Sequence, residues 1–544
     1  MQLLDWLIVV LYLALLFGVG VYFSRRQTTL SEFFRGGHNI GWLTVGISLM
    51  AALNSALDYV QTPAIVFVFG LAYVAQALTS IPLYPWVSRV TVPFYRRLNV
   101  YSAYEYLELR FGVGVRIVAS MIFVFWRLGW MGMALYVPCL MISGATNNQL
   151  DITWLVIVLG TVVTVYTMLG GIKAVVWTDV AQFCVMFLGL FAALAFIVTR
   201  VPGGIPQIVE EAQQAGRLSF AAQIPGWADA DLLGKVYLYL TTPVTFCGII
   251  IFVLIGRMAS FTSDQVAVQR FQTAKSARDG RNAFIVNAIS DVVWTGALGC
   301  LGLALFAYYR YTALPEGMQN DRVLPYFMSQ TFPRGLMGLV VASIFAASLS
   351  SVGAALNSTT SVIVVDFYNR LWLGRVRPTD SLSPTEQRTQ VFLSRLVTLG
   401  LGVALMLIAA NVERLGEIYT VCNKVLGAFY GALFGIFALG MFSRRAHSAS
   451  TLIGSLSGLM ASCFFSFYGV LIPLHGIVRG TLGTAADDFL LHVSWQWPPV
   501  VGLATTLLVG YLGSRLLPTK RGATASLTYR EVMRMADPGD SETN

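Results

Sequence analysis

Charge is scarce in this chain, and the scarcity excludes most soluble architectures. Only 12% of its 544 residues are Asp, Glu, Lys or Arg, 56% are hydrophobic, and the mean hydropathy is +0.68. No soluble core of this length conceals that much apolar surface, so the chain reads as a polytopic membrane protein. Cysteine is equally uninformative about metals or disulfides. Its six copies (Cys139, Cys184, Cys247, Cys300, Cys422 and Cys463) lie singly in apolar segments, without paired spacing, and read as packing residues. The four histidines, His38, His447, His475 and His492, fall in loops or at helix ends, so neither haem nor zinc is indicated. No cofactor is expected, and no nucleophile, base and orienter converge as they would in an enzyme.

What is present is a series of apolar runs. A helix needs about 20 residues to cross a ~30 Å hydrocarbon core. Runs of that order fall at 5–23, 41–69, 71–95, 115–146, 152–170, 176–199, 235–263, 283–309, 336–365, 391–411, 416–442, 450–473 and 497–517. The first has Asp5 before it, Arg25 and Arg26 after it and no small-residue cleavage site, so it reads as a retained helix with an external N-terminus. Thirteen crossings put the C-terminus on the other side. Loops facing Arg25 and Arg26 then carry 25 basic residues and the opposite loops carry 8, the bias of a cytoplasmic face. The net charge of +9 thus reflects topology and anionic lipid, not nucleic acid. Connecting stretches at about 200–234, 310–335 and 367–390 are too short for folded domains. The tail, 518–544, reads as disordered or as a short surface helix.

Spans 41–199 and 235–442 each contain five crossings and begin on opposite sides, which permits an inverted repeat of the kind found in secondary transporters. Five charges interrupt the spans: Asp58, Arg127, Arg257, Asp291 and Lys424. One charge at the bilayer centre costs about 3 kcal/mol on insertion scales, so five imply a shared polar interior. The span reading SLMAALNSALDYVQTPA crowds Ala51, Ala52, Asn54, Ser55, Asp58 and Gln61 at mid-membrane and ends at Pro63. Pro63 removes a helix hydrogen bond, and a break at that depth survives where freed carbonyls face a cavity, an ion or other protein.

In the span 342–361, Ser343, Ala347, Ser350, Ser351, Ala354, Asn357, Ser358 and Ser361 share one helical arc, opposite Ile344, Phe345, Leu349, Val352 and Leu356. Small residues allow close helix packing. The adjacent hydroxyls of Ser350 and Ser351 also supply uncharged oxygens suited to a weakly held sodium ion. A third stretch, GGIKAVVWTDVAQ at 170–182, places Asp179 near a helix start, where the dipole favours a carboxylate.

Together with YSAYEYLELRF at 101–111, these stretches resemble the sodium/solute symporter family, from about residue 5 to 517, and look nearest the iodide, monocarboxylate and multivitamin branch. The resemblance implies an all-α fold with a LeuT-like core of ten helices, repeats at 41–199 and 235–442, an extra helix within 1–40, an external loop at 200–234 and two extra helices within 443–517. It implies a sodium site at the carbonyls of Ala51, Asn54 and Ala347 and the hydroxyls of Ser350 and Ser351. Asp179 matches a position where some relatives hold a second cation, but Gly353 and Ala354 replace the accompanying hydroxyls. Where sugar-transporting members have neutral or differently charged residues, this chain has Asp58, Arg257 and Asp291. The candidate substrate set is Asp58, Arg127, Arg257, Phe261, Asp291 and Lys424.

Three cations against two carboxylates favour an anion, and an arginine fork suits a carboxylate. The expected activity is sodium-coupled symport of a small organic anion, a monocarboxylate, across the cell (plasma or inner) membrane by alternating access. Internal ion pairs such as Arg257 with Asp58 are the structural alternative. A zwitterionic amino acid is the alternative substrate, and a membrane sensor the alternative function, although its tail is too short for an output domain. Sodium, the solute and the bilayer are the expected partners, with the chain a monomer or a weak homodimer.

Overall fold

The computed structural model describes residues 1–24, 40–98, 100–146, 149–221, 224–375, 383–415, 418–471, 475, 478–481, 483–517 and 527–535. In hydrocarbon a backbone must satisfy its own hydrogen bonds, and helix is the local solution for one apolar run. The described residues are accordingly helical with no strand, only an isolated bridge between Ile40 and Ala274. The helices are α1 (Leu3–Ser24), α2 (Trp42–Leu53), α3 (Ala56–Phe69), α4 (Ser80–Trp86), α5 (Val92–Leu98), α6 (Ala103–Phe111), α7 (Val113–Ala145) and α8 (Ile152–Arg200). There follow α9 (Gly204–Gln214), α10 (Leu232–Thr241), α11 (Phe246–Thr262), α12 (Gln265–Thr273), α13 (Ala277–Tyr311), α14 (Val323–Thr331) and α15 (Leu336–Val362). The remainder are α16 (Pro384–Ala409), α17 (Ile418–Phe442), α18 (Ser448–Phe467), α19 (Thr484–His492), α20 (Pro498–Leu516) and α21 (Tyr529–Val532).

Nine stretches among the described residues are long and apolar enough to cross a membrane, or ten if α10 and α11, inclined at 46°, form one crossing. Length, breaks and kinks account for the difference from thirteen, the apolar part of α1, Leu3–Val19, being short. Gly171, at φ 52° and ψ −164°, is non-helical and divides α8 into two helices at a kink between the expected spans 152–170 and 176–199. A residue with a Cβ resists that left-handed backbone, so the glycine permits the kink. The expected span 71–95 is a succession of short pieces, 3-10 over Gly70–Thr79, α4, π over Val87–Thr91 and α5.

Large apolar side chains such as Leu15, Phe125, Trp154, Leu188, Leu407 and Met460 point outward, as a lipid-facing surface requires. Inside, α15 is buried along nearly its whole length and packs against α7 and α8. Its hydroxyl arc faces two broken helices: Ser343 Oγ lies 2.9 Å from Tyr59 Oη, Ser350 Oγ donates to the Ala51 carbonyl at 2.8 Å, and Ser358 Oγ donates to Gln269 Oε1 at 2.8 Å.

The first break is not at Pro63. It falls at Asn54 and Ser55, both extended, while Pro63 sits inside α3. A second break at Ser263 and Asp264 separates α11 from α12, with no proline to announce it. Of the tail, residues 527–535 are described and dock: Tyr106 Oη donates to the Leu527 carbonyl at 3.2 Å, Arg97 Nε donates to the Met535 carbonyl at 3.1 Å, and Val532 is fully buried.

Candidate functional site

The first break follows from a capping box. Ser55 is the N-cap of α3, its hydroxyl accepts from Leu57 N, and Asp58 Oδ2 accepts from Ser55 N at 2.6 Å. In an uninterrupted helix the Ser55 N–H would donate to the carbonyl of Ala51, four residues back. Diverted to Asp58, it leaves that carbonyl available, and Ser350 Oγ donates to it instead. On the facing helix the Ala347 carbonyl accepts from Ser350 Oγ at 3.2 Å and Ser351 Oγ at 2.9 Å. Ala51, Ala347, Ser350 and Ser351 thus form one buried cluster of neutral oxygens, with Asn54 at the adjacent break. Hard oxygen donors of this kind suit an alkali cation. Each hydroxyl now donates to a carbonyl, and a cation in the cluster would turn their lone pairs inward.

One turn beyond the serines, Gly353 packs so closely on Tyr166 that a Cβ there would collide with the Tyr166 hydroxyl. Asp179 is also engaged. Its Oδ2 accepts from Ser48 Oγ at 2.5 Å and from Arg270 Nη2 at 2.9 Å, and Arg270 Nε donates to Ser48 Oγ at 2.8 Å. Arg270 brings to Asp179 the positive charge that a second cation would bring, so the structure adds an ion-pair partner to this carboxylate that its sequence context did not suggest.

Next to the oxygen cluster, a cavity of about 180 Å³ opens between α2, α3, α7, α11, α13 and α17. Asp58, Arg127, Arg257, Phe261 and Asp291 all line it, with Asn54, Ser55, Gln76, Trp130, Asn287, Asn423 and Tyr430. Asn54 and Ser55 also flank the oxygen cluster, so one helix break borders both.

The ion pairs differ from the sequence expectation. Arg257 does not pair with Asp58. Its Nη2 pairs with Asp291 Oδ2 at 2.5 Å and its Nη1 donates to Ser80 Oγ at 2.8 Å. Among the described residues no ion pair engages Asp58. Arg127 pairs with Asp264 at the second break, its guanidinium 4.5 Å from the Trp126 ring centroid and 5.0 Å from that of Trp130. Lys424 does not line the cavity. Cys422, Asn423, Leu426 and Tyr430 do, and at 100° per residue Lys424 projects from the other side of α17. The positive excess is therefore corrected: with Asp264 counted and Lys424 removed, two guanidinium groups face three carboxylates.

Beyond Asp264 the chain runs through the protein interior. All nine residues of α12 are buried. Tyr104 Oη donates to the Ser263 carbonyl at 2.7 Å, and the Ala103 amide donates to Gln265 Oε1 at 2.9 Å. Asp264 escaped sequence reading because it lies one residue past the expected span 235–263, outside the hydrophobic run. Its one signal was a position directly before Gln265, where an N-cap for the next helix fits.

The family model described as "Sodium:solute symporter family" matches residues 33–458. The chain is 31% identical over 482 residues to the sodium/sialic acid symporter SiaT of Proteus mirabilis, covering 87% of this chain and 92% of that protein. To the human sodium-coupled monocarboxylate transporter 1 it is 29% identical over 510 residues, covering 90% and 78%. A solved structure, the substrate-bound outward-open state of a Na+-coupled sialic acid symporter, superposes with a TM-score of 0.79 at 27% identity, covering 95% of this chain and 98% of that one. The fold is LeuT-like, and this chain belongs to the sodium:solute symporter family, as a multi-pass, sodium-coupled membrane transporter.

Proposed function

We propose that this symporter moves one sodium ion with one compact solute that carries a carboxylate and, beside it, a hydrogen-bond donor, as a short hydroxy monocarboxylate does. The observation that carries this reading is Arg257, held by Asp291, in the same cavity as Asp58, which has no ion-pair partner among the described residues. The solute's carboxylate reads the guanidinium edges of Arg257 and Arg127, and its donor satisfies Asp58. Relatives named for sialic acid and for monocarboxylates support an acid. Size favours a short chain, since 180 Å³ is close to the ~150 Å³ cavity that accommodates benzene. A nine-carbon sugar acid would have to displace side chains. A zwitterionic amino acid is the second reading. Counting Asp264 behind Arg127, two guanidinium groups and three carboxylates sum to −1, sodium brings the total to zero, and a zwitterion keeps it there.

Sodium is assigned to the Ala51, Asn54, Ala347, Ser350 and Ser351 oxygens, where it ties α2 to α15 and orders the break that also faces the solute. The repeats are assigned to 41–199 and 235–442, each opening on a broken helix, between the extra helix of 1–40 and the two of 443–517. Thirteen crossings leave the N-terminus outside and the C-terminus in the cytoplasm, on the face where α12 is buried. Alternating access then requires α12 and its Asp179 and Asp264 contacts to part.

Proteoliposome uptake of labelled lactate, alanine and sialic acid, each with an inward sodium or potassium gradient, tests the reading. Sodium-driven lactate uptake without current supports it. Sodium-driven alanine uptake with inward current favours the zwitterion, and sialic acid uptake alone overturns the compact-solute assignment.

A further inference from the structure

The capping geometry at the first break connects the two sites through a single side chain. Asp58 Oδ2 takes the Ser55 N–H at 2.6 Å, and the carbonyl thereby released, that of Ala51, is the one that Ser350 approaches at 2.8 Å in the cation cluster. Asp58 also lines the solute cavity. It therefore touches the solute space directly and the cation cluster only through the backbone of Ser55.

We infer that Asp58 is the coupling residue of this symporter: its carboxylate holds the α2–α3 break open so that the Ala51 carbonyl can ligate sodium, while the same group reads the solute. This rests on the sodium and solute assignments above and adds to them a physical link. Without an acceptor at position 58, the partner that a continued helix offers the Ser55 N–H is the Ala51 carbonyl, four residues back. The helix then extends by a residue and competes with the ion for that oxygen. A solute donor that orients the carboxylate toward Ser55 favours the open break and strengthens sodium binding, and linkage requires sodium to strengthen solute binding by the same factor. Asp58 is thus a positioning residue for sodium, not a ligand.

The chemistry separates two variants. Asparagine at 58 keeps a side-chain oxygen for the Ser55 N–H but loses the charge. Alanine loses both. Sodium binding to the purified protein, measured without any solute by titrating sodium against a constant ionic strength of potassium and reading intrinsic tryptophan fluorescence, isolates the effect. Asp58→Ala is expected to weaken sodium binding about tenfold, the worth of one hydrogen bond exchanged at a buried carbonyl. Asp58→Asn is expected to stay within about twofold of the parent while losing sodium-driven lactate uptake. Equal sodium affinities for the parent and Asp58→Ala, in folded protein judged by size-exclusion elution, overturn the inference. So does equal weakening in both variants, which would make the charge and not the cap responsible. Ser350→Ala, run alongside, keeps the outcomes apart: if it leaves sodium affinity unchanged, the sodium-site assignment has failed. If it weakens binding while Asp58→Ala does not, only the coupling role has failed.

Discussion

Replacing Ser350 by alanine removes a hydroxyl that bridges two helices, and its consequence for sodium can be worked from distances. In the structure Ser350 Oγ lies 2.8 Å from the Ala51 carbonyl and 3.2 Å from that of Ala347. Both carbonyls belong to the cluster assigned to sodium, so the hydroxyl sits at the centre of the ligand set. An interaction between a neutral dipole and a full charge contributes about 1.5–3 kcal/mol in a protein interior. At about 1.4 kcal/mol per decade, Ser350→Ala should raise the sodium concentration for half-maximal uptake by about 10- to 100-fold. Linkage carries the loss to the solute, whose apparent affinity at fixed low sodium should fall in parallel and recover at saturating sodium. The assay is initial-rate uptake in proteoliposomes over a sodium series at constant ionic strength. Ser348→Ala is the internal control, because that hydroxyl donates to the Ala134 carbonyl on α7 at 2.7 Å, away from the break. A sodium dependence that moves equally in both variants, or in neither, would refute the reasoning.

Arg257→Gln leaves Asp291 buried without its cation and should destabilise the protein by about 3 kcal/mol, read as a lowered unfolding midpoint in detergent; adding Asp291→Asn should restore the midpoint but not solute binding. Arg127→Gln and Asp264→Asn break the pair between α7 and the second break, and each should raise labelling of a Ser263→Cys reporter by a thiol reagent applied from the cytoplasmic side. Gly353→Ser, intended to build a second cation site, should instead collide with Tyr166 and lower the unfolding midpoint without changing the sodium Hill coefficient. Val532→Asp places a charge where valine is fully buried, loses about 1.5–3 kcal/mol of burial and should expose residues 527–535 to added protease.

Much of this architecture was legible because hydrocarbon imposes simple rules. Most of the apolar runs are helical where hydropathy put them, and the serine arc of α15, read from helical periodicity, turns toward the two broken helices. What hydropathy misjudged was local hydrogen bonding. Pro63 looked like the breaker, yet the break belongs to Ser55 and Asp58, a capping pair that a reading by depth and composition treats as two polar residues. The second break carries no proline and ends an apolar run, so it read as a helix terminus, and Asp264, the partner of Arg127, was left outside. Lys424 illustrates another gap. Depth in the membrane is readable from sequence, but rotation about the helix axis depends on neighbours, and α17 turns Cys422, Asn423 and Leu426 to the cavity while Lys424 points elsewhere. The charge around the cavity changes accordingly, from a surplus of positive charge to Arg257 held by Asp291 beside an Asp58 that has no ion pair among the described residues.

The most direct test of sodium–solute coupling at the first break is sodium affinity measured with and without lactate, together with lactate affinity measured with and without sodium, on one purified preparation. Equal factors of enhancement in the two directions, abolished by Asp58→Ala, are the expected result. Lactate binding that is the same in sodium and in potassium would contradict the account.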